Sequence, residues 1–495
     1  MLGELARRAQ ARLHLPAGTG DVAVRGVQHD SRAVAAGDLF AAIEGASFDG
    51  TRFAAGAVAS GAVALLASRE LEVAVPQLVA ADVRQAMALA AHAVYGDPTT
   101  KLKLVGITGT NGKTTTSYLV DGMLRALGHE PWMLGTVETR AGAERRPARF
   151  TTPESDDLAR FAAEAVAGGA RELVMEVSSH GLAQARVAGA HFAVGAFTNL
   201  SRDHLDFHGT MEAYRDAKAS LFLEHRPDAS VIHVDDAAGA FIAAQVPGAI
   251  TVGRGPEARL RIVSARLERS GITAELTFDG APLALRSALV GGHNLENLAV
   301  ALGCGIGLGL DPAEACHAVG QAPAAPGRLE PVRDPRGTTV VVDYAHTPDA
   351  LVNALGALRA ITAGRLLVVF GCGGDRDAGK RPQMGRAAAE GADVAVVTSD
   401  NPRTEDPQAI VDAIVPGVEA GGLERADADA ERGFVVEVDR ARAIELAVAA
   451  ARPEDTVLIA GKGHEDYQIV GTTKRPFDDR AVAAAAIAAL AREDA

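Results

Sequence analysis

The stretch that decides the fold is residues 104–120, Leu104-Val-Gly-Ile-Thr-Gly-Thr-Asn-Gly-Lys-Thr-Thr-Thr-Ser-Tyr-Leu-Val120. Its first residues are apolar and predict a buried strand, its glycines predict a loop, and the apolar spacing from Lys113 to Leu127 predicts a helix. A strand, a glycine loop and a helix in this order can hold phosphate, because the loop N–H groups and the positive end of the helix converge on one anion.

The loop is a variant of the common phosphate-binding pattern. That pattern has a glycine where this chain has Ile107, five residues before Gly112. A plain turn before a helix is the alternative interpretation. We favour ATP or GTP binding, with Lys113 reaching the β- and γ-phosphates and the Thr114 hydroxyl ligating Mg²⁺.

Composition narrows the class of protein. A chain of 495 residues, 48% hydrophobic and 23% charged, is suited to two to four domains. No apolar run approaches the roughly 18 residues of a membrane span, and the N-terminus lacks the apolar core of a signal peptide, so we expect a cytoplasmic protein without membrane insertion. Three cysteines without CxxC spacing argue against disulfides or structural zinc. A net charge of −14 without a Lys/Arg run argues against nucleic acid as a partner.

The pattern of strands and helices predicts three α/β domains. Residues 1–98 alternate short apolar runs with alanine-rich helical segments, and residues 99–330 contain the phosphate loop. Residues 331–495 contain further strands separated by helix-length segments. Residues 95–100 and 322–328 have the composition of linkers.

Two polar residues of the central domain, Glu176 and His204, are candidates for metal chemistry on sequence alone. Glu176 lies near the end of an apolar strand, where a carboxylate is costly unless it is paired or bound to a cation. A nucleotide-bound metal would supply that cation, and a structural salt bridge is the alternative. His204, in a loop rich in metal-capable side chains, could ligate a second Mg²⁺ or cap a turn. The helical spacing around Lys218 predicts an exposed residue without a role.

The C-terminal domain gives the clearest topological prediction. Its four apolar runs, spaced like the parallel strands of a βαβ sheet, each lead into polar residues. The runs are 339–342, 366–370, 394–397 and 456–459, and the polar segments that follow are 343–346, 371–376, 400–403 and 461–466. Because ligands bind outside the carboxyl ends of strands in open α/β sheets, four such endings predict one ligand site.

The order and number of these motifs resemble the Mur ligases of peptidoglycan synthesis. The motifs are Thr108–Thr116, Thr151-Thr-Pro153, Met175-Glu-Val-Ser-Ser-His180, Arg202-Asp-His-Leu-Asp206, Ala217-Lys218 with Leu221-Phe222, Asn294, Asp343-Tyr-Ala-His-Thr-Pro348, Gly374-Asp-Arg376 and Gly461-Lys-Gly-His-Glu-Asp466. The resemblance covers the whole chain. It implies a small α/β uridine-binding domain (1–98), a central P-loop-type ATPase domain with a mostly parallel sheet (99–330), and a C-terminal Rossmann-like domain that binds an amino acid (331–495).

The resemblance also assigns residues to the nucleotide and the metals. It implies ATP on Gly109, Thr110, Asn111, Gly112, Lys113, Thr114, Thr115, Asn294, Arg328, Asp343 and His346. It implies Mg²⁺ on Thr114 and Glu176, and a second Mg²⁺ on His204 and a carbamylated Lys218. This implied role replaces the interpretation of Lys218 as an exposed residue without a role, because a carbamate turns a cation into a carboxylate-like metal ligand. Lys113, Glu176, His204 and Lys218 form the implied catalytic group.

Two further sets of residues match the positions that hold the substrates in this family. For UDP-N-acetylmuramoyl-L-alanyl-D-glutamate they are Ser31, Ala46, Ser47, Phe48, Thr151, Thr152, Ser178, Gln184 and Arg186. For meso-2,6-diaminopimelate they are Arg381, Asp400, Asn401, Pro402, Arg403, Gly461 and Glu465. On sequence alone, the segments 29–32 and 45–50 are more often plain turns than sites.

The reaction implied is ATP-dependent amide formation through an acyl phosphate, with diaminopimelate as the amino acid added. Diaminopimelate differs from lysine by one carboxylate, which the guanidinium of Arg403 would hold in bidentate fashion. The alternatives are the lysine-adding ligases, which would leave Arg403 without a partner, and folylpolyglutamate synthases, which lack the first domain. A slow nucleotide-hydrolysing switch is a rival of another class. We expect a monomer.

Overall fold

The computed structural model describes residues 1–45 and 49–493. The chain divides into two compact units. The first contains Met1–Val263, Leu276–Leu283 and Glu296–Ala322, and the second contains Ser264–Glu275, Ala284–Leu295 and Pro323–Ala495. The division into three domains at residues 1–98, 99–330 and 331–495 remains a prediction. No helix within the described residues is both long enough and apolar enough to cross a membrane.

The N-terminal part of the first unit is a five-stranded sheet with helices. Its strands are β1 (Arg12–His14), β2 (Gly26–Gln28), β3 (Asp38–Ala41), β4 (Ala64–Ala67) and β5 (Gln77–Val79), and its helices are α1 (Leu2–Arg8), α2 (Ala54–Ala59) and α3 (Val83–Val94). The strand order is β1-β5-β4-β3-β2, with only the β1–β5 pair antiparallel. The side chain of Asp82 accepts from the Gln85 N–H and caps α3, whose apolar face packs in the core with α1. Short 3₁₀ helices cover Gly50–Phe53 and Pro98–Lys101.

An eleven-stranded sheet follows in the described chain. Its strands are β6 (Lys103–Thr108), β7 (Trp132–Leu134), β8 (Glu138–Ala141), β9 (Glu144–Pro147), β10 (Glu172–Glu176), β11 (Val194–Phe197), β12 (Ala229–His233), β13 (Ile250–Gly253), β14 (Leu260–Glu268), β15 (Gly271–Phe278) and β16 (Ala281–Ser287). The order is β16-β15-β14-β13-β12-β11-β6-β10-β7-β8-β9. Strand β6 lies between β10 and β11 and is parallel to both, so the residues that follow these three strands lie at one edge of the sheet.

Eight helices connect or follow these strands in the described residues. They are α4 (Lys113–Ala126), α5 (Ser155–Ala167), α6 (Ser179–Ala183), α7 (Leu205–His208), α8 (Met211–Leu223), α9 (Ala237–Ala243), α10 (Gly292–Gly307) and α11 (Pro312–Gly320). The predicted strand and helix on either side of the phosphate loop are confirmed as β6 and α4. Leu104, Val105 and Ile107 of β6 are fully buried, as their apolar character requires.

The second unit is built on a six-stranded sheet. Its strands are β17 (Glu330–Val332), β18 (Thr339–Asp343), β19 (Leu366–Phe370), β20 (Val394–Val397), β21 (Gly433–Val436) and β22 (Thr456–Ala460). Its helices are α12 (Pro348–Arg359), α13 (Lys380–Gly391), α14 (Pro407–Ala420), α15 (Arg440–Ala450) and α16 (Asp479–Glu493). The order is β17-β18-β22-β19-β20-β21, and the four predicted strands are neighbours and parallel. The prediction that their carboxyl ends share one edge is confirmed.

A separate two-stranded hairpin, β23 (Tyr467–Val470) and β24 (Thr473–Pro476), follows β22. No sequence pattern predicted it. It lies beside the polar segment 400–403, where Arg403 and Val470 form an isolated parallel bridge. The hairpin therefore belongs structurally to the edge at which the polar strand endings meet.

Candidate active site

The glycine loop between β6 and α4 is fixed by the end of β11. The Asn111 N–H donates to Asn199 Oδ1 at 2.9 Å, and the Asn111 carbonyl accepts from Thr198 Oγ1 at 2.6 Å. Gly112 has φ +84°, and a Cβ there would lie 2.3 Å from Asn297 Oδ1, so glycine is required. The first-turn N–H groups of α4, which include those of Thr114 and Thr115, have no acceptor inside their own helix and remain directed at the loop.

Two lysines converge on one loop carbonyl. Lys113 Nζ donates to the carbonyls of Gly109 and Thr110, each at 2.9 Å, and Lys218 Nζ donates to Gly109 at 2.7 Å. Lys218 is 1% exposed. Burial first, and the positive charge of Lys113 second, hold the pKa of Lys218 well below its ordinary value.

The predicted exposed position of Lys218 is wrong. Helical periodicity assigned it to the solvent side of α8, whereas its side chain lies inside the unit, with its ammonium 4.5 Å from the ring centroid of Tyr214. The physical reason is that a long stem can cross apolar surface and place its polar end on a buried carbonyl. Hydrophobic periodicity depends only on residue types, so it does not show how far a long side chain extends from its helix.

Glu176 is buried at the end of β10, as predicted, and is held by hydroxyls and an N–H group. Glu176 Oε2 accepts from Thr114 Oγ1 and from Thr136 Oγ1, each at 3.0 Å, and Oε1 accepts from the Thr136 N–H at 2.7 Å. The structure gives Glu176 no salt bridge within the described residues, so the alternative of a structural ion pair is not supported. Thr136 was missed by sequence reasoning, because nothing in its neighbourhood distinguishes it from other threonines.

His204 and Lys218 lie near the same tyrosine. His204, with φ +52°, immediately precedes α7, and its half-exposed ring lies 6.0 Å from the Tyr214 ring and 4.9 Å from the His180 ring. The hydroxyl of Tyr214 is 3.1 Å from Thr110 Oγ1, which connects this group to the glycine loop. The left-handed backbone at His204 is uncommon for a residue other than glycine, although histidine is among the side chains found there most often.

The five predicted dipeptide-binding residues of the central region form one hydrogen-bonded chain. Thr151 Oγ1 lies 3.0 Å from Thr136 Oγ1, and Thr152 Oγ1 contacts both the Glu176 carbonyl (3.0 Å) and Ser178 Oγ (3.1 Å). Arg186 contacts the remaining members, donating to the Thr152 carbonyl at 2.9 Å and to Gln184 Oε1 at 2.8 Å. Thr151 is thus joined to the Glu176 carboxylate through Thr136, and the other four are joined to the backbone carbonyl of Glu176 through Thr152.

The N-terminal candidates are less well connected. Ser31 lies in the turn after β2, close in sequence to His29, whose Nδ1 is 2.8 Å from Asp156 Oδ2 at the start of α5. The structure shows no hydrogen bond between Ser31 and the other candidates among the described residues. Ala46, Ser47 and Phe48 lie outside the described residues.

Three of the four predicted ATP-binding residues in the second unit lie next to Tyr344. Asp343 accepts from the N–H groups of Leu329 and Ala345, each at 2.8 Å, and burial raises its pKa. The guanidinium of Arg328 lies 5.1 Å from the Tyr344 ring, and the ring of His346 lies 4.5 Å from it. The fourth candidate, Asn294, donates to the Val290 carbonyl at the start of α10.

The predicted amino-acid pocket lies where β20 and β22 end. Asn401 Nδ2 donates to Glu465 Oε2 at 2.9 Å, and a Cβ on Gly461, whose φ is +118°, would lie 3.1 Å from Asp400 Oδ2. Pro402 is buried between Asn401 and Arg403. Six of the seven predicted residues thus share one location.

Arg403 is held by backbone on both sides. Its φ is +52°, its N–H donates to the Ile469 carbonyl at 3.0 Å, and its carbonyl accepts from the Gly471 N–H at 2.7 Å. Its guanidinium donates to the Gly374 carbonyl at 2.7 Å. The unexpected hairpin therefore fixes the arginine that the sequence assigned to the distal carboxylate of the amino acid.

Arg381, the seventh predicted residue, is engaged differently. Its Nη2 lies 2.8 Å from both carboxylate oxygens of Glu405, which also accepts from the Asp375 N–H at 2.6 Å. Asp375 in turn accepts from Thr404 Oγ1 at 2.8 Å. Arg381 thus reaches the segment after Arg403 through two carboxylates, and its own Nε is buried without a partner in the described structure.

Comparison with known proteins identifies the family. Residues 23–100 match the Mur ligase family catalytic domain, residues 107–305 the Mur ligase middle domain, and residues 327–463 the Mur ligase glutamate ligase domain. The chain belongs to the Mur ligase family. The predicted family and its three-domain α/β architecture are confirmed, and Mur ligases are ATP-dependent enzymes that form amide bonds.

Individual relatives of this Mur ligase are similar over nearly the whole chain. It is 44% identical over 483 residues to a UDP-N-acetylmuramoyl-L-alanyl-D-glutamate–2,6-diaminopimelate ligase of Geobacter metallireducens, with 94% of each chain covered. It is 45% identical to the ligase of the same name from Gloeobacter violaceus, with 93% of each covered. A solved structure of a ligase of that name is 35% identical, covers 94% of this chain and 95% of its own, and superposes with a TM-score of 0.72.

The residues of this Mur ligase fit a magnesium ion. The Thr114 hydroxyl and the Glu176 carboxylate, 3.0 Å apart at the start of α4, are hard oxygen donors of the kind that Mg²⁺ prefers. Lys218 as an ammonium is not a metal ligand. It fits one only after its charge is removed, and its burial beside Lys113 favours that change.

Proposed function

We propose that this Mur ligase uses ATP to join meso-2,6-diaminopimelate to the D-glutamate of UDP-N-acetylmuramoyl-L-alanyl-D-glutamate, in the synthesis of peptidoglycan precursors. The observation that supports this choice of amino acid is the pocket at the ends of β20 and β22. There the hairpin fixes an arginine (Arg403), and Asn401 fixes a carboxylate (Glu465). The similarity to relatives named as diaminopimelate ligases supports the same substrate.

In the first half of the reaction, the D-glutamyl γ-carboxylate attacks the γ-phosphorus of ATP, and an acyl phosphate and ADP form. Two anions must approach each other, so the first task of the chain is to offset negative charge. Lys113 and the N–H groups of α4 are the fixed positive groups of the loop. When bound, Mg²⁺ neutralises phosphate oxygens and fixes their geometry. Thr114 and Glu176 would hold it.

In the second half, an amino group of diaminopimelate attacks the acyl carbon and phosphate leaves. The task of the chain is now to orient the amine, because a correctly placed nucleophile reacts far faster than a free one. We assign Arg403 to the distal carboxylate and Glu465 to the distal ammonium of diaminopimelate. Arg381 is assigned to the same substrate through the segment that follows Arg403.

We assign the sugar dipeptide to the chain of hydrogen bonds that runs from Thr151 to Arg186, with Ser31 and residues 46–48 toward the uridine. ATP is assigned to residues 109–115 together with the group around Tyr344, and Asn294 is included by resemblance. The substrates proposed are cytoplasmic precursors, and the chain is proposed to act there as a monomer. Light scattering of the purified protein would test the last point.

We also propose that Lys218 is carbamylated and joins His204 at a second Mg²⁺. An uncharged amine can attack CO₂, whereas an ammonium cannot, and Lys218 is buried beside another lysine with a backbone carbonyl as its acceptor. ¹³C NMR after exchange with ¹³C-bicarbonate should show one carbamate signal that is absent from Lys218→Ala. A spectrum without such a signal at neutral pH would refute the carbamate.

The proposed reaction is tested by ADP release. The purified chain is supplied with ATP, Mg²⁺ and UDP-N-acetylmuramoyl-L-alanyl-D-glutamate, and meso-diaminopimelate, L-lysine or no amino acid is added. We expect release to require diaminopimelate and to be orders of magnitude slower with lysine. Equal release with lysine would indicate a lysine-adding ligase, and release that ignores the amino acid would indicate a nucleotide switch.

A further inference from the structure

Lys462 is a buried charge beneath the proposed amino-acid pocket. Its side chain is 0% exposed. Its ammonium donates to Asn401 Oδ1 at 3.0 Å and to the Tyr467 carbonyl at 2.7 Å. It lies 3.3 Å from Asp400 Oδ1 and 3.8 Å from Glu465 Oε2. One ammonium therefore contacts the segment 400–403, the start of the hairpin and both pocket carboxylates.

Asp400 depends on this lysine. Asp400 Oδ1 is buried and accepts no hydrogen bond within the described residues, so its charge must be compensated by a nearby cation. A second buried cation close to Asp400, Arg440, forms a bidentate pair with Asp479, with nitrogen–oxygen distances of 2.8 and 2.7 Å. Since Arg440 is paired with Asp479, Lys462 is the one cation that forms an ion pair with Asp400 among the described residues, and it contributes most directly to balancing that carboxylate.

The arrangement leaves Glu465 available for a ligand. Lys462 is closer to Asp400 than to Glu465, and Glu465 Oε2 accepts from Asn401 while Oε1 accepts no hydrogen bond from the described residues. With Asp400 balanced by Lys462, Glu465 and Arg403 remain as one negative and one positive group. That pair matches the ammonium and carboxylate of an amino-acid end.

We propose that Lys462 is a positioning residue that sets the charge balance of this pocket and so determines the preference for diaminopimelate over lysine. This inference rests on the proposed function. Without Lys462 the pocket carries one more negative charge, which repels the distal carboxylate that diaminopimelate has and lysine lacks. Loss of Lys462 should therefore weaken the binding of diaminopimelate more than the binding of lysine, whereas general damage to the pocket would weaken the binding of both amino acids alike.

The test compares Lys462→Met with Lys474→Met. Lys474 lies exposed on the same hairpin, so its replacement is matched in chemistry and location. We expect Lys462→Met to raise the KM for diaminopimelate by about 30-fold or more, the effect of breaking a buried charge pair, with the KM for ATP within about twofold. The ratio of kcat/KM for diaminopimelate to that for lysine should fall by about tenfold or more. Lys474→Met should change neither quantity.

Other outcomes decide the question as well. An unchanged KM for diaminopimelate, or equal losses for the two amino acids, would overturn the inference while leaving the proposed function intact. ADP release by the wild-type chain that does not depend on diaminopimelate would overturn both the inference and the proposed function. If thermal melting shows that Lys462→Met does not fold, Lys462→Gln replaces it, because its amide still donates to Asn401 while the charge is gone. The same fall in the ratio is expected, and its absence would overturn the inference.

Discussion

Lys218 and Lys462, the two buried lysines in the part of this Mur ligase that the structure describes, differ in their partners. Lys218, in the first unit, donates to the Gly109 carbonyl and has Lys113 as a neighbour. Lys462, in the second unit, has two carboxylates within 4 Å. Burial lowers the pKa of both, but Asp400 and Glu465 oppose that effect at Lys462. Burial alone therefore does not set the chemistry of a lysine. A carbonyl and a like charge favour a reactive amine, and carboxylates favour a fixed cation.

The largest expected effect comes from removing the first lysine. Lys218→Ala should lower kcat on the order of 10³-fold, because the proposed carbamate ligand is lost while the pocket for the amino acid is unchanged. Added acetate should restore part of the rate by supplying a carboxylate. Steady-state ADP release measures both effects. Lys462→Met is the control, and a rescue of that variant by acetate would erase the distinction between the two lysines.

Arg403→Ala should have the next largest effect, confined to the second unit. Removing the only proposed partner of the distal carboxylate should raise the KM for diaminopimelate roughly 100-fold, with little change in the KM for ATP. Arg475→Ala, an exposed arginine on β24, is the matched control. Equal increases in the two KM values would show that Arg403 does not read the amino acid.

Thr136→Ala should have a smaller effect in the first unit. The substitution removes one hydroxyl from Glu176 while the Thr136 N–H and the Thr114 hydroxyl remain. We expect about a tenfold fall in kcat and a shift to higher Mg²⁺ in a titration of the rate, because the carboxylate is less well oriented. A rate curve that falls without moving along the Mg²⁺ axis would contradict a role in holding the metal.

Two histidines, one with a carboxylate partner and one without, should affect the pH dependence of stability in opposite ways. Burial opposes protonation of His29, yet its hydrogen bond to Asp156 raises its pKa. His92 has no hydrogen-bond partner in the described structure, and burial lowers its pKa to about 4. At pH values below the ordinary histidine pKa of about 6.5, the unfolded chain binds a proton at His92 that the folded chain does not bind. The free energy of unfolding therefore decreases as the pH is lowered. At His29 the sign is opposite, since its contribution is lost as pH rises through the raised pKa.

The smallest effect follows from His92→Leu. Between pH 7 and pH 5 the wild-type chain should lose about 2 kcal/mol of unfolding free energy relative to this variant, as expected for a pKa of about 4. Urea unfolding of both proteins at the two pH values measures the difference, and activity at pH 7 should be unchanged. A difference of the opposite sign would show that His92 gains a partner in solution.

The strand endings and the glycine loop were predictable because both depend on local sequence. Apolar runs specify buried strands, and parallel neighbours place their carboxyl ends together, so Glu176 and the segment 400–403 could be assigned to edges of sheets. Thr136, Lys462 and the hairpin could not be found in this way. Their roles depend on contacts with residues distant in sequence, and neither periodicity nor spacing records such contacts. Lys218 shows the same limit, since only resemblance to a family corrected its predicted exposure.

The left-handed backbone at Arg403 has a consequence for how this enzyme can change over time. Glycine or asparagine would occupy that conformation with less strain, by about 1 kcal/mol, and would remove the guanidinium at the same moment. If Arg403 has the role proposed for it, substitutions that relieve this strain would raise stability and lower the selectivity for the amino acid at the same time.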